Sequence, residues 1–236
     1  MLDVGGESTR PGATPVAAAE ERARVLPVVA GLVANAGVPV SIDTTKASVA
    51  VAALEAGATV VNDVSGGLAD PDMLGVVAGA RAGYVAMHMR GEPRTMQTDP
   101  RYGDVVGEVG EFLLKRLEAA GAAGIDPGAL CADPGIGFGK TAHHNLVLLA
   151  RISELVDRVD TPLLVGTSRK AFIGALLAGT SSTGVPPDDR DDGTLATVVW
   201  SVDHGVAIVR VHAVRPAVDA VRLWSEMRAI DAEAAA

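Results

Sequence analysis

Hydrophobic and polar positions along the chain switch repeatedly between two periods. A short Val/Ile/Leu run ends on a polar residue, a loop with Gly or Pro follows, and a stretch of helical period closes the unit. Strands are predicted at Leu2-Asp3-Val4, Val38–Asp43, Thr59–Val64, Gly83–His88, Leu130–Asp133, Pro162–Val165 and Ala207–His212. The segment Pro15–Asn35 reads as a helix, with Val25, Leu26, Val29 and Leu32 forming one stripe and Glu20, Glu21, Arg22 and Arg24 supplying charge. Further helices are expected at Lys46–Ala56, Pro71–Ala80, Val105–Ala120, Asn145–Val156, from Lys170 to Leu177, at Thr194–His204 and at Pro216–Ile230. Gly179–Asp192 is a polar insertion.

Strands alternating with helices imply a parallel sheet with helical crossovers. An open doubly wound sheet and a closed (β/α)8 barrel both fit that alternation. The polar residues favour the barrel. Asp43, Asn62, His88, Asp133, Ser168, Arg210 and His212 lie at or just beyond the C-terminal ends of different strands. A barrel brings those ends to one mouth, where its catalytic groups sit. The expectation is one α/β domain over residues 1–236, a TIM barrel with about seven strands including the short opening run.

Composition narrows the function classes. With 48% hydrophobic and only 3% aromatic residues among 236, the core must be built from Ala, Val and Leu. A net charge of −9 argues against a nucleic-acid binder, so an anionic substrate would need a local basic cluster. One cysteine, Cys131, builds no disulfide framework. No run approaches the ~20 apolar residues of a membrane span. The expectation is a soluble cytoplasmic protein with small-molecule partners, engaging neither nucleic acid nor membrane.

Asp43, Asn62 and Asp133 can each cap a following helix, but together at one mouth they form an acceptor set suited to a flat heterocycle presenting N–H and amino groups. Strand alternation prevents Asn62 and Asp63 from both facing inward, and Asn62 is assigned to the site. Ser168-Arg169-Lys170 follows a strand and opens a helix, a place where anions are favoured. Arg210 and His212 are two apart on a strand and face one side, which with Arg10 supplies the basic cluster. The Gly-rich loop Asp133–Lys140 has neither dinucleotide nor P-loop spacing. His88 is expected as a satisfied strand-end histidine, His143 and His144 as exposed, Cys131 as a small buried hydrophobe, and Phe138, Trp200 and Trp224 chiefly as packing residues.

These motifs, in order, resemble dihydropteroate synthase: Asp3-Val4-Gly5-Gly6-Glu7-Ser8-Thr9-Arg10-Pro11-Gly12, Ser41-Ile42-Asp43-Thr44, Val61–Gly67, Met87–Gly91, Asp133–Lys140, Ser168-Arg169-Lys170 and Arg210-Val211-His212. The resemblance implies a folate-pathway transferase that condenses 6-hydroxymethyl-7,8-dihydropterin diphosphate with p-aminobenzoate, giving 7,8-dihydropteroate and pyrophosphate. It implies that Asp43, Asn62, Asp133 and Lys170 bind pterin and that Arg210 and His212 bind diphosphate, with Lys170, Arg210 and His212 catalytic. Thr9, Arg10 and Pro11 would shape the p-aminobenzoate pocket. It further implies Mg²⁺, a homodimer, and a first strand, helix and loop, carrying a metal-site Asn, that precede the opening motif in the family. No metal ligand is identified within the chain. Ala213 stands where the family usually has Asp, and Ala171 where some members have Ser. A non-catalytic pterin-binding relative and a pterin-dependent methyltransferase are the alternatives.

Overall fold

The computed structural model describes residues 1–10, 12–179 and 184–234. Among them run the strands β1 (Leu2–Gly5), β2 (Val40–Asp43), β3 (Val60–Asp63), β4 (Gly83–Met87), β5 (Leu130–Asp133), β6 (Leu164–Val165) and β7 (Ile208–Val209). Each hydrogen-bonded pair is parallel, and neighbours in space are neighbours in sequence: β1 through β5 form one run and β6 with β7 another. A bridge between Ala132 and Leu163 links the two runs, with the Ala132 N–H donating to the Pro162 carbonyl at 3.0 Å. A doubly wound sheet would reverse its strand order at a switch point, whereas strictly sequential order is that of a barrel wall. Between β7 and β1 the wall is spanned by side chains, the Arg210 guanidinium donating to the Asp3 carboxylate at 2.9 Å.

The helices are α1 (Ala18–Asn35), α2 (Ala47–Glu55), α3 (Met73–Ala80), α4 (Val105–Ala122), α5 (Ala142–Ala150), α6 (Ile152–Val159), α7 (Ala171–Leu177), α8 (Asp191–Asp203) and α9 (Val214–Ala234). None of the described helices is long and apolar enough to cross a membrane. Three expectations need correction. The helix expected from Pro15 begins at Ala18, because the Val16 N–H is held at 2.9 Å by the Glu7 carboxylate from the preceding loop. The single helix expected at Asn145–Val156 is two, broken at Arg151 (φ −113°, ψ 27°), whose guanidinium forks onto Glu154 with two 2.7 Å bonds. The last strand is also shorter than expected. Its ladder closes with the Arg210 N–H on the Val165 carbonyl at 3.0 Å, leaving His212 beyond it. Part of the Gly179–Asp192 insertion lies outside the described residues.

Period-2 alternation divides the strand side chains between two cores. Val40, Ile42, Val61, Tyr84, Ala86, Leu130, Ala132 and Val165 join the large core that includes helix residues such as Val25, Val29, Leu113, Leu148 and Leu155. The opposite parity forms a second cluster of Val85, Cys131 and Leu164, with Val60 and Ile208 packed against it. This second cluster fills the barrel interior, as side chains do in barrels of this size. Burial there pushes the Cys131 thiol up to about 12, so it behaves as the small hydrophobe expected from sequence. One step further along the same inward parity, the side chains become Asp43, Asn62, Asp133 and Arg210. The apolar plug therefore forms the floor and these polar residues the mouth.

Candidate active site

Five polar side chains from the strand ends meet above the apolar floor. The Asp3 carboxylate accepts from Ser41 Oγ at 2.6 Å, Asn62 Nδ2 at 3.1 Å and Arg210 at 2.9 Å. The same Arg210 nitrogen lies 3.3 Å from the Asp43 carboxylate. Asp43, Asn62 and Arg210 are thus brought together, Asn62 and Arg210 donating to Asp3 and Asp43 reaching it through the shared Arg210. Asp3 belonged to a quoted motif but was assigned no role. Its register against Ser41, whose side chain shares the inward parity of Asp43, is the signal that could have found it. Asp63 takes the other parity: it accepts from Tyr84 Oη at 3.0 Å and holds the following turn through the Ser65 and Gly67 amides. Assigning Asn62, not Asp63, to the site follows from that split.

Asp133 is buried, its carboxylate accepting the Gly135 N–H at 2.7 Å. Lys170, on the turn before α7, donates to the Ile136 carbonyl and lies 4.7 Å from the centre of the Phe138 ring. Phe138 packs with Val64, Met87 and Met96, so it is an anchor on one side and a cation platform on the other. Beyond the strand ends, Ser168 Oγ and His212 Nδ1 are 2.8 Å apart. Arg169 turns away: it forks onto Asp191 with two 2.9 Å bonds and reaches Asp188 at 2.7 Å. The basic cluster facing the mouth is therefore Lys170, Arg210 and His212. Arg10 stands exposed on the β1–α1 loop, close enough for its charge to bear on His212. Thr9 is half-buried on that loop, and Pro11 lies outside the described residues.

A family profile described as pterin binding enzyme matches residues 1–212. The dihydropteroate synthase of Mycobacterium leprae is 49% identical over 94% of this chain and 78% of its own length.

The chain belongs to the pterin-binding enzyme family.

Two solved structures agree with that membership. The Yersinia pestis dihydropteroate synthase in a sulfonamide drug complex superposes with a TM-score of 0.90 at 41% identity, covering 96% of this chain and 80% of that one. The Xanthomonas albilineans dihydropteroate synthase with 4-aminobenzoic acid gives 0.88 at 43% identity, covering 97% and 79%. Within the pterin-binding enzymes the chain stands with the dihydropteroate synthases, which makes it a transferase on a TIM-barrel fold.

Two lysines that brace the loops around this mouth were also unassigned in the sequence. Buried Lys140 lies 2.9 Å from His88 Nδ1 and donates at 3.0 Å to the carbonyls of Gly135 and Phe138. It pins the β5 loop to the end of β4, where backbones press together. A Cβ on Gly135 (φ +65°) would sit 1.8 Å from the His88 carbonyl oxygen, so only glycine fits. His88 is thereby the satisfied histidine expected, its protonation suppressed by burial and then by Lys140 and Arg90. The second is Lys46, which bonds Glu7 of the β1–α1 loop and, at 2.6 Å, buried Glu21 of α1, tying that loop to the end of β2.

Burial and crowding perturb the ionisable groups at the mouth, a common property of functional sites. Asp43 is pushed up to about 7 by burial and then by the charge of Asp3, with Arg210 opposing. Burial also raises Asp133, against the pull of Lys170 and Arg210. Lys170 is drawn down to about 8 by burial, with Asp133 opposing.

Asp43 allows a test of stability. Folded, it holds its proton to about 7 against an ordinary 3.8, so the folded state binds more protons between those values and loses stability as pH rises through that window. Asp43→Asn is expected to raise stability at pH 7.5, on the order of 1–2 kcal/mol, in the usual trade of activity for stability. Melting temperatures from pH 4 to 8 check this. The wild-type curve should fall more steeply toward neutral pH than the variant's.

Proposed function

We propose that this mouth condenses 6-hydroxymethyl-7,8-dihydropterin diphosphate with p-aminobenzoate, releasing 7,8-dihydropteroate and pyrophosphate. The observation that carries the proposal is buried Asp133 at the mouth of the barrel, with Asn62 facing inward two strands away and Arg210 and His212 at the end of the last strand. A pterin edge presents an amino group and ring N–H, which a buried carboxylate and an amide oxygen accept. Asp43, Asn62, Asp133 and Lys170 are assigned to the pterin. Arg210 and His212 are assigned to the diphosphate, the anion that the Arg210 charge and the N–H groups of both suit. Thr9, Arg10 and Pro11 are assigned to p-aminobenzoate, whose carboxylate suits Arg10 and the amides that open α7.

The chemistry asks for electrostatics more than a nucleophile. The methylene C–O bond breaks, its electrons leave with pyrophosphate, and the aniline nitrogen forms the new C–N bond and gives up a proton. Donors already aimed at the departing oxygens lower that barrier without reorganising. Arg210 and His212 are assigned as those donors, while Lys170 acts on the pterin.

Mg²⁺ fits poorly as an ion held by the chain. Among the described residues no three His, Cys, Asp or Glu side chains cluster as a metal site, and the nearest carboxylates, Asp3 and Asp43, are engaged by Arg210. A cation carried in on the diphosphate oxygens agrees better with how Mg²⁺ is usually bound. A homodimer is supported by the apolar residues exposed on α8 and α9, including Trp200, Leu223, Met227 and Ile230.

The deciding experiment supplies the purified chain with both substrates and Mg²⁺ and follows dihydropteroate by chromatography alongside pyrophosphate release. Equal amounts of the two products are expected. Pterin binding without product would sink the transferase proposal in favour of a non-catalytic pterin binder.

A further inference from the structure

Ser168 makes two contacts with His212. Its Oγ accepts the His212 backbone N–H at 3.2 Å and lies 2.8 Å from the ring Nδ1. A serine hydroxyl has one hydrogen and two acceptor lone pairs. The backbone N–H occupies one lone pair. If Nδ1 carried the ring proton, it would fill the second and leave the hydroxyl hydrogen without a partner. Ser168 is buried, and its Oγ has no other hydrogen-bond partner among the described residues. An unpaired polar hydrogen at such a place costs roughly 1–3 kcal/mol. The arrangement that satisfies every group has the hydroxyl donating to an unprotonated Nδ1, which leaves the single ring proton on Nε2.

We propose that Ser168 is a positioning residue that sets the tautomer of His212, so that the ring presents Nε2–H as a donor to an oxyanion of the substrate. The surroundings agree. Arg169 from the β6–α7 turn, Arg210 from the end of β7 and Arg10 from the β1–α1 loop bear on the ring, and Asp191 of α8 opposes them. Together with burial these cations hold His212 below the ordinary histidine range, so the ring is neutral near pH 7 and its tautomer decides which nitrogen can donate. Fixing the tautomer through the other ring nitrogen is a general way in which a partner residue tunes a functional histidine. The identity of the oxyanion as a diphosphate rests on the function proposed above; the tautomer does not.

Histidine-selective ¹⁵N NMR tests the two parts separately, with the His212 signals assigned from a His212→Gln spectrum. In the wild-type chain, Nδ1 is expected to show an unprotonated shift and Nε2 a protonated one. Ser168→Ala should bring the two shifts together as both tautomers become populated, and Ser168→Thr, which keeps the hydroxyl, should restore the separation. Inorganic pyrophosphate should bind Ser168→Ala about twofold more weakly, because only the fraction of rings that still carry the proton on Nε2 can donate to it. A wild-type ring protonated on Nδ1, or shifts unchanged in Ser168→Ala, would overturn the proposal. A correct tautomer in a chain whose His212 signals ignore pyrophosphate would support the positioning role and overturn the diphosphate assignment.

Discussion

Asp133→Asn is expected to leave a folded barrel that has lost 10²-fold or more of its kcat/KM, with the loss appearing as weakened pterin binding. The asparagine oxygen can still accept the Gly135 N–H that Asp133 holds at 2.7 Å, so the loop after β5 keeps its anchor. What disappears is the negative charge. Asp133 is buried near Lys170, Arg210 and Lys140, all of which pull against its tendency to stay protonated. A heterocycle presenting two donors binds a carboxylate with charge-assisted bonds, roughly twice as strong as neutral ones. Each hydrogen bond to a charged group is worth roughly 1.5–3 kcal/mol, so weakening two of them costs about 10²-fold or more in affinity. Calorimetric titration with pterin, beside a melting curve, separates this from unfolding. A variant that melts like wild type and still binds pterin with undiminished affinity would remove Asp133 from the site.

Arg210→Met should damage both fold and activity, and its effect on the fold should depend on pH. The guanidinium serves Asp3 at 2.9 Å and Asp43 at 3.3 Å. Without it two carboxylates face each other with no cation between them, a loss of roughly 3–5 kcal/mol for a buried pair, discounted here because one-third of the Arg210 side chain is exposed. Protonation relieves the repulsion. Asp43 already holds its proton to about 7, so the destabilisation should be largest above that value and shrink toward pH 5. Chemical denaturation at pH 5 and pH 8 would show this. An equal loss at both values would mean that Arg210 contributes by packing instead of charge. Activity should fall steeply at either pH, because the proposed diphosphate contact leaves with the guanidinium.

Much of this site was legible before any coordinates. Alternating strands and helices announced a parallel α/β fold, and the polar residues at the strand ends favoured the barrel and marked its mouth. Period-2 parity was enough to show that only one of Asn62 and Asp63 could face inward. The remainder depended on contacts that no local pattern encodes. Asp3 sits in an opening run too short to show its own alternation, and its inward direction appears only through its pairing with Ser41. Lys140 looked like the end of a glycine loop, because one of its partners, His88, is 52 positions away. Arg169 read as part of a basic pair at the mouth, but Asp188 and Asp191, within the polar insertion, claim it. The helix break at Arg151 has no glycine or proline to announce it.

The Arg210–Asp3 contact also has a consequence for how the protein acquires its activity. It joins positions 207 apart in the chain, whereas β1 through β5 pair in sequential order. Sequential pairing encloses modest loops, but this closure must wait until the last strand has found the first. A nascent chain or folding intermediate that has assembled only β1–β5 would possess Asp43, Asn62 and Asp133 without the cation that organises their neighbour Asp3. Substrate binding would then be among the last properties to emerge during folding. Ligands that bridge the two groups would act as clamps on the final step, slowing unfolding more than they accelerate folding.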